Sequence, residues 1–382
     1  MLTPRAAKAC RHFAPLDSTA ATRNSENYSM QKTFDEKLAR MNADSACGDF
    51  ILADAKDADM AFGISAPGIR RDPSGDEHGY RSIQEFRSQI REIVEQALVD
   101  IMLMSVSTSD ELAVQQRIFA KSRVTPAIRA NDTTDIWLAG RTASYGAHPS
   151  LPFRTTTLDE AMGNAANDRS IAGSPAVDLG LYSITLNNDA ELDRGTLQAY
   201  RDFREEAGRK GFRHFLEVFA PNAPRNLAAE GVPRFVNDSI ARLLAGVPAI
   251  SRPLFLKMPY FGPKALEELV SYDSSLVVGI LGGSAGTTFD AFQMLSEAKK
   301  YGARAALYGR KINNAEHQLS FIHHLRALAN GDAAPVDAVK AYHADLAKLG
   351  IKPRRPLEKD LQSSPKETAG PSQSGYSTGE RT

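Results

Sequence analysis

Short apolar runs alternate with longer amphipathic runs along most of this chain. Eight of the short runs have the length and the apolar content of buried strands. They are Phe50–Lys56, Asp100–Val106, Val124–Ala130, Asp178–Leu186, His214–Ala220, Pro253–Pro259, Leu276–Gly282 and Ala303–Gly309. Stretches with a helical pattern separate most of these runs. The alternation indicates repeated strand–helix units, which build parallel sheets.

Eight parallel strands with crossover helices predict an α/β fold of the (β/α)8 TIM-barrel type, and an open doubly wound sheet is the alternative. The chain has 382 residues, whereas such a barrel needs about 250. We therefore predict a disordered leader at 1–27, a barrel with an extra C-terminal helix at 28–350, and a disordered tail at 351–382. The segment 131–157 is long for a loop and follows the third strand, so we expect it on the catalytic face.

Composition narrows the function classes. Lysine plus arginine and aspartate plus glutamate both number 46, so the formal net charge is zero, and nothing indicates a nucleic-acid or anionic-membrane partner. No apolar run is long enough to span a membrane. The two cysteines, Cys10 and Cys47, fit a reducing compartment. We expect a cytoplasmic homo-oligomer, as barrels of this kind often associate.

Lys257 lies inside the sixth apolar run, PLFLKMP. Period-two alternation places Phe255 and Lys257 on one face and Leu256 and Met258 on the other. Both faces of a barrel strand are buried, so an ammonium group there is costly. Desolvation lowers the pKa of a buried lysine, and the neutral amine can attack a ketone and form an imine. The alternative is a lysine at the strand end that is exposed or paired with an acid.

Glu217 repeats this pattern one strand earlier, in HFLEVFA, where it shares a face with Phe215 and Phe219. The fifth and sixth strands of a barrel are neighbours, so Glu217 and Lys257 are expected to point inward near the carboxyl-terminal rim. A carboxylate beside an imine-forming lysine suits proton transfer. A structural salt bridge inside the barrel is the alternative.

Glycines and one arginine follow the last two strands. Gly282, Gly283 and Ser284 come after the seventh strand, and Gly309 and Arg310 after the eighth. Loops at these positions form the usual phosphate site of a (β/α)8 barrel, where backbone N–H groups and an arginine can hold an anion. The two loops together predict a phosphate site, with a merely tight turn as the alternative.

Acids follow the first strand, and a tyrosine lies on the fourth. Asp54 follows the longer apolar stretch, so we predict that it orients a substrate hydroxyl or holds the lysine in position, although Asp57 and Asp59 are close by in the sequence. A solvated acidic turn is the alternative. Tyr182 is a candidate hydrogen-bond donor at the rim, or else a packing residue.

These segments resemble class I, metal-free aldolases, the family that includes deoxyribose-phosphate, tagatose-bisphosphate and archaeal-type fructose-bisphosphate aldolases. FLKMPYFGP is similar to the family's sixth strand with its Schiff-base lysine, and FLEVFAPN to the fifth strand with its catalytic glutamate. GILGGSAGTTFDAFQMLSEAKKYGARAALYGRKI resembles the seventh and eighth strands with their phosphate contacts, and ILADAKD the first strand.

The resemblance implies a carbon–carbon lyase that acts on a phosphorylated ketose through Lys257 and Glu217, with Asp54 as the first-strand acid and with no metal or other cofactor. Its phosphate contacts fall on Gly283, Ser284, Gly309 and Arg310. Two alternatives stay open. One is a non-catalytic barrel that binds a sugar phosphate, and the other is a Schiff-base transferase of the transaldol or thiolase type.

Overall fold

The structure is a computed structural model that describes residues 30–44, 46–137, 147–163, 175–282 and 286–364. Eight parallel strands close into a barrel in chain order, and the last strand pairs with the first. The strands are β1 Ile51–Lys56, β2 Ile101–Met104, β3 Thr125–Arg129, β4 Leu179–Thr185, β5 Arg213–Phe219, β6 Leu256–Met258, β7 Val278–Leu281 and β8 Ala305–Tyr308. Each predicted run contains its strand or overlaps it closely. The (β/α)8 prediction is therefore confirmed.

Helices of ten residues or more cover the barrel and one of its mouths. They are α1 Thr33–Ala43, α2 Ile83–Gln96, α3 Ala190–Lys210, α4 Val232–Ala245, α5 Pro263–Tyr272, α6 Thr288–Lys300, α7 Gln318–Asn330 and α8 Pro335–Lys348. Shorter helical segments are Asp59–Phe62, Gly63–Ser65, Val106–Ser109, Asp110–Gln115, Thr134–Trp137, Leu158–Ala161, Ala229–Gly231, Ala249–Ser251, Arg310–Asn313 and Leu357–Asp360. None of the helices in the described ranges is long and apolar enough to cross a membrane.

Two apolar clusters separate the inner and outer faces of the strands. The inner cluster contains Phe215 and Phe255, whose rings stack with centroids 4.4 Å apart. Phe34, Leu38 and Met41 of α1 belong to the same cluster. Helix α1 therefore covers the amino-terminal mouth of the barrel. The outer cluster holds the opposite faces of the strands against the surrounding helices.

The segment after β3 contributes structure on the carboxyl-terminal side of the barrel. Its short strands Asp132–Thr133 and Pro152–Phe153 pair antiparallel, and a second hairpin, Ile69–Arg71 with Glu77–Tyr80, follows β1. The residues between Trp137 and Ala147 lie outside the described ranges.

The predicted domain boundaries need one correction, at the carboxyl-terminal end. Residues 351–364 were assigned to a disordered tail, but this segment packs on α6. The Asp360 carboxylate is buried and accepts hydrogen bonds from the backbone N–H of Thr288 at 2.8 Å and from His343 Nε2 at 2.9 Å. Hydrogen bonds to residues far away in the sequence hold this polar segment in place, and its composition alone does not predict them. The predicted leader at 1–27 and residues 365–382 lie outside the described ranges.

Candidate active site

Lys257 and Glu217 meet inside the barrel. They are register partners on β6 and β5, and Lys257 Nζ lies 2.7 Å from Glu217 Oε1. The Glu217 side chain is fully buried, and only 3% of the Lys257 side chain is exposed. The stacked rings of Phe215 on β5 and Phe255 just before β6, each two residues before a member of the pair, form an apolar floor beneath it. The alternation of the two strands gave this arrangement correctly.

Ser183 extends the pair onto β4. Its hydroxyl donates a hydrogen bond of 2.6 Å to Glu217 Oε2. Asn131, just after β3, fixes the backbone of Ser183 from both sides. The Asn131 side-chain carbonyl accepts from Ser183 N–H at 2.7 Å, and its amide donates to the Ser183 carbonyl at 2.9 Å. This side chain continues the ladder where β3 ends, so Ser183 is held in one orientation.

Arg129, the last residue of β3, joins this network to the first strand. Its Nη1 donates to Asp57 Oδ2 at 2.8 Å and lies 3.8 Å from Glu217 Oε2, and its Nη2 donates to Ser183 Oγ at 3.2 Å. Asp57, Arg129, Glu217 and Lys257 are all buried. Two carboxylates therefore face two cationic side chains, an internal balance that buried charges require.

Asp54, predicted as the acid of the first strand, is on the other face of β1. Ile51, Ala53 and Ala55 belong to the inner cluster. Asp57 follows at the same two-residue spacing and points to the same side. Asp54 and Lys56 instead point outward beneath the helices, with Lys56 Nζ 3.4 Å from Asp54 Oδ2 and 2.9 Å from Gln318 Oε1 of α7. Asp57, and not Asp54, is thus the acid that faces the site.

The outward carboxyl of Asp54 carries an energetic cost. Burial raises its pKa to about 6, and Lys56 offsets only part of this rise. The folded protein therefore holds a proton on Asp54 between about pH 4 and pH 6, where the unfolded chain has lost it. The resulting cost is absent below pH 4 and fully present above pH 6.

An Asp54→Asn variant is expected to gain stability relative to the parent as pH rises from 4 to 6, by up to about 3 kcal/mol for a shift of about two units. Denaturant unfolding of both proteins at several pH values measures this difference. A difference in unfolding free energy that stays constant over this range would contradict a raised pKa at Asp54.

Two other predicted site residues make packing and strand-pairing contacts. The Tyr182 ring is 2% exposed and stacks on Phe203 of α3 with centroids 4.4 Å apart, because Tyr182 takes the outer face of β4. Burial raises the pKa of its hydroxyl to about 12. Gly282 donates its N–H to the Leu307 carbonyl at 2.8 Å, and an added Cβ there would overlap the ring of Tyr308. Both residues serve packing and strand pairing.

The predicted phosphate loops are described in part, since Gly283 and Ser284 lie outside the described residues. Gly309 passes so close to β1 that an added Cβ would lie 2.7 Å from the Ala55 carbonyl oxygen. The Arg310 guanidinium carbon lies 5.3 Å from the ring centroid of Phe62, in the turn that follows β1. Arg310 therefore lies on the carboxyl-terminal face.

Lys311 links the loops after β7 and β8 and was not singled out from the sequence. Its Nζ donates to the Gly286 carbonyl at 2.8 Å, and burial lowers its pKa to about 8. Ser183, Arg129 and Asn131 were also missed. Strand parity could have revealed Ser183, which shares a face with Leu181. The same parity places Arg129 on the face of Ala127, whereas Asn131, beyond the end of β3, is recognisable only through Ser183, a partner distant in sequence.

Comparisons with known proteins identify structural relatives only. No model of a protein family matches the chain, and no curated protein matches its sequence. One similar structure is an archaeal fructose 1,6-bisphosphate aldolase, with a TM-score of 0.54 and 13% identity over 77% of this chain and 99% of that chain. Another is a Schiff-base-forming fructose-1,6-bisphosphate aldolase, with a TM-score of 0.52 and 15% identity over 78% and 100% of the two chains.

A Corynebacterium glutamicum protein is similar as well, with a TM-score of 0.51 and 17% identity over 80% of this chain and all of that chain. At identities this low, the likeness establishes a shared fold.

Proposed function

We propose that this protein is a class I aldolase, a carbon–carbon lyase that acts on a phosphorylated ketose through a Schiff base on Lys257. The observation that carries the proposal is the Lys257–Glu217 pair, 2.7 Å apart and enclosed by the barrel. A buried ion pair that only stabilised the fold could be replaced as a whole by two apolar residues at little cost. A lysine with a carboxylate in contact has instead what imine chemistry needs, a nucleophile and a proton acceptor.

Imine formation begins with a proton transfer from the Lys257 ammonium group to Glu217. The free amine then attacks the ketone carbon of the substrate, and the carbonyl oxygen becomes the hydroxyl of a carbinolamine. Glu217 returns its proton to that hydroxyl, which leaves as water while the nitrogen lone pair forms the C=N bond. Ser183 and Arg129 hold the second oxygen of Glu217, so Oε1 stays directed at Lys257.

Carbon–carbon cleavage follows from the charge on the imine. The protonated imine accepts the electron pair of the breaking bond and becomes an enamine, while the neighbouring hydroxyl loses its proton to a carboxylate and becomes the aldehyde carbonyl. Proton return to the enamine carbon and hydrolysis then release the ketone and regenerate Lys257. We assign to Asp57, held by Arg129 at 2.8 Å, the hydroxyl-orienting role that the sequence suggested for Asp54.

The phosphate of the substrate is proposed to bind at the loops after β7 and β8. Arg310 supplies a guanidinium on the carboxyl-terminal face, and Lys311 ties the two loops together. Gly283, Ser284 and Gly309 complete this assignment as backbone and hydroxyl donors. The similar structures support the reaction class, since one is described as a Schiff-base-forming aldolase and another as carrying a carbinolamine on its catalytic lysine.

Borohydride trapping tests the proposal. Reduction in the presence of dihydroxyacetone phosphate, with EDTA present throughout, is expected to fix one adduct on Lys257, located by peptide mass spectrometry. A folded protein that binds ketose phosphates yet gives no adduct would instead be a non-catalytic binding barrel. In a parallel reaction without borohydride, transfer of the imine-bound fragment to an added acceptor with no release of free ketone would identify a Schiff-base transferase.

An Arg310→Ala variant is expected to raise KM for a phosphorylated substrate by about tenfold or more, because a charge-assisted contact to the phosphate is lost. Turnover of the unphosphorylated analogue, measured in the same assay, is expected to change little. Equal effects on the two substrates would remove Arg310 from the phosphate site.

A further inference from the structure

A cavity of about 780 Å³ lies on the outer surface of the barrel, between α3 and α4. This volume falls within the range of about 300–1,000 Å³ that is typical of small-molecule sites. The cavity is lined by one stripe from each helix. The α3 stripe is Arg194, Leu197, Gln198, Arg201 and Arg204, and the α4 stripe is Phe235, Ser239, Arg242 and Leu243. Both stripes have the spacing of a single helical face.

The charge of this groove is unusual for a chain with zero net charge. Four arginines and a single aspartate, Asp193, line it. That aspartate is occupied near the start of α3, where its carboxylate accepts the backbone N–H of Asn187 at 2.8 Å. Cations gathered without acids repel one another, so an anion in the groove would stabilise them.

Three of the arginines have no acidic partner in the part of the chain that the structure describes. Within the described ranges, Arg194, Arg204 and Arg242 form no ion pair, whereas Arg201 is paired with Glu205 at 2.7 Å. The Nε atom of Arg204 is buried without a hydrogen-bond partner among these residues, although its N–H is an obligatory donor. Its guanidinium carbon is 5.2 Å from the Tyr200 ring centroid, which fixes the side chain against the wall of the groove.

The groove also offers apolar surface for an uncharged part of a ligand. Leu197, Phe235, Leu243 and Val247 line it together with Tyr200. Between Arg194 and Arg204, α3 advances by about 15 Å. An elongated ligand with a flat ring and a phosphate chain would match this length and use both kinds of surface.

We propose that the groove between α3 and α4 binds a phosphorylated small molecule with a flat ring, of the nucleoside di- or triphosphate class. The phosphates contact Arg204 and Arg242, and the ring lies on the apolar wall near Phe235. This site is separate from the interior of the barrel, so it does not depend on the reaction proposed at Lys257.

Isothermal titration with ATP, pyrophosphate and adenosine tests the proposal on the full chain. We expect saturable ATP binding that weakens by about tenfold or more in Arg204→Gln and in Arg242→Gln, because each loses a charge-assisted contact. Arg209→Gln, an exposed arginine on α3 outside the groove, is the matched control and is expected to bind normally. Thermal unfolding identifies a variant that fails to fold, and Arg242→Gln keeps the test independent of the Arg204–Tyr200 contact.

Lys257→Met is expected to bind ATP like the parent protein, which separates this groove from the barrel interior. Absence of saturable ATP binding at millimolar concentrations would overturn the proposal. An ATP affinity that is unchanged in both Arg204→Gln and Arg242→Gln would overturn it as well. Pyrophosphate binding as tight as that of ATP would refute a ring subsite. Binding of a polyglutamate peptide in place of ATP would assign the groove to a protein partner.

Discussion

A Lys257→Met variant is expected to lose the borohydride-stable adduct completely and to lose turnover of a ketose phosphate by about 10⁴-fold or more, as removal of a covalent nucleophile does elsewhere. Methionine has nearly the length of lysine but no nitrogen that can attack a carbonyl. Glu217 has further contacts with Ser183 and Arg129, but Asp57 and Glu217 then share one cation, so thermal unfolding must show that the variant is folded. Intact-protein mass spectrometry and a coupled aldehyde assay provide the two measurements.

Lys56→Met is the matched control for this experiment. Lys56 is also a buried lysine, but it points outward from β1 and binds Gln318 on α7. Its replacement is expected to leave the adduct and its position on Lys257 unchanged. An adduct that persists in Lys257→Met, or that disappears only in Lys56→Met, would refute Lys257 as the nucleophile.

The second large effect is expected on stability. Arg129→Met removes the cation that joins Asp57 to Glu217 and Ser183. Breaking a buried ion pair from one side costs about 3–5 kcal/mol, because the remaining charge stays buried without its partner. We expect the free energy of unfolding to fall by that amount in chemical denaturation at neutral pH.

The double variant Asp57→Asn with Arg129→Met tests whether the loss comes from a stranded carboxylate. Removal of both charges is expected to recover part of the stability lost in Arg129→Met alone. A double variant as unstable as the sum of its single variants would show that Arg129 acts through packing and not through Asp57.

Strand periodicity predicted the barrel strands and the inward orientation of two side chains. Eight apolar runs predicted the eight barrel strands, and alternation in β5 and β6 correctly placed Glu217 and Lys257 on the inner face. The same rule groups Asp57 with Ile51, Ala53 and Ala55 and places Asp54 on the opposite face, but it does not say which face is the inner one. Asp54 was preferred for its apolar lead-in, yet both faces of a barrel strand are buried, so apolar neighbours do not tell inside from outside.

The remaining part of the site depends on contacts between distant residues. Arg129 and Asp57 are 72 positions apart, and Asn131 and Ser183 are 52 apart. No local pattern marks either pair, because their meeting depends on the closure of the barrel. The contact of Asp360 with α6, 72 positions away, has the same origin.

Helix α1 closes the amino-terminal mouth with Phe34, Leu38 and Met41. Access to Lys257 through that mouth is therefore blocked, and under the proposed chemistry we expect substrate and products to pass through the carboxyl-terminal side of the barrel. Under the proposed chemistry the ketone fragment stays covalently attached until water hydrolyses the imine, so the aldehyde departs first. The order of product release then follows from the covalent intermediate, whatever the relative affinities of the two fragments.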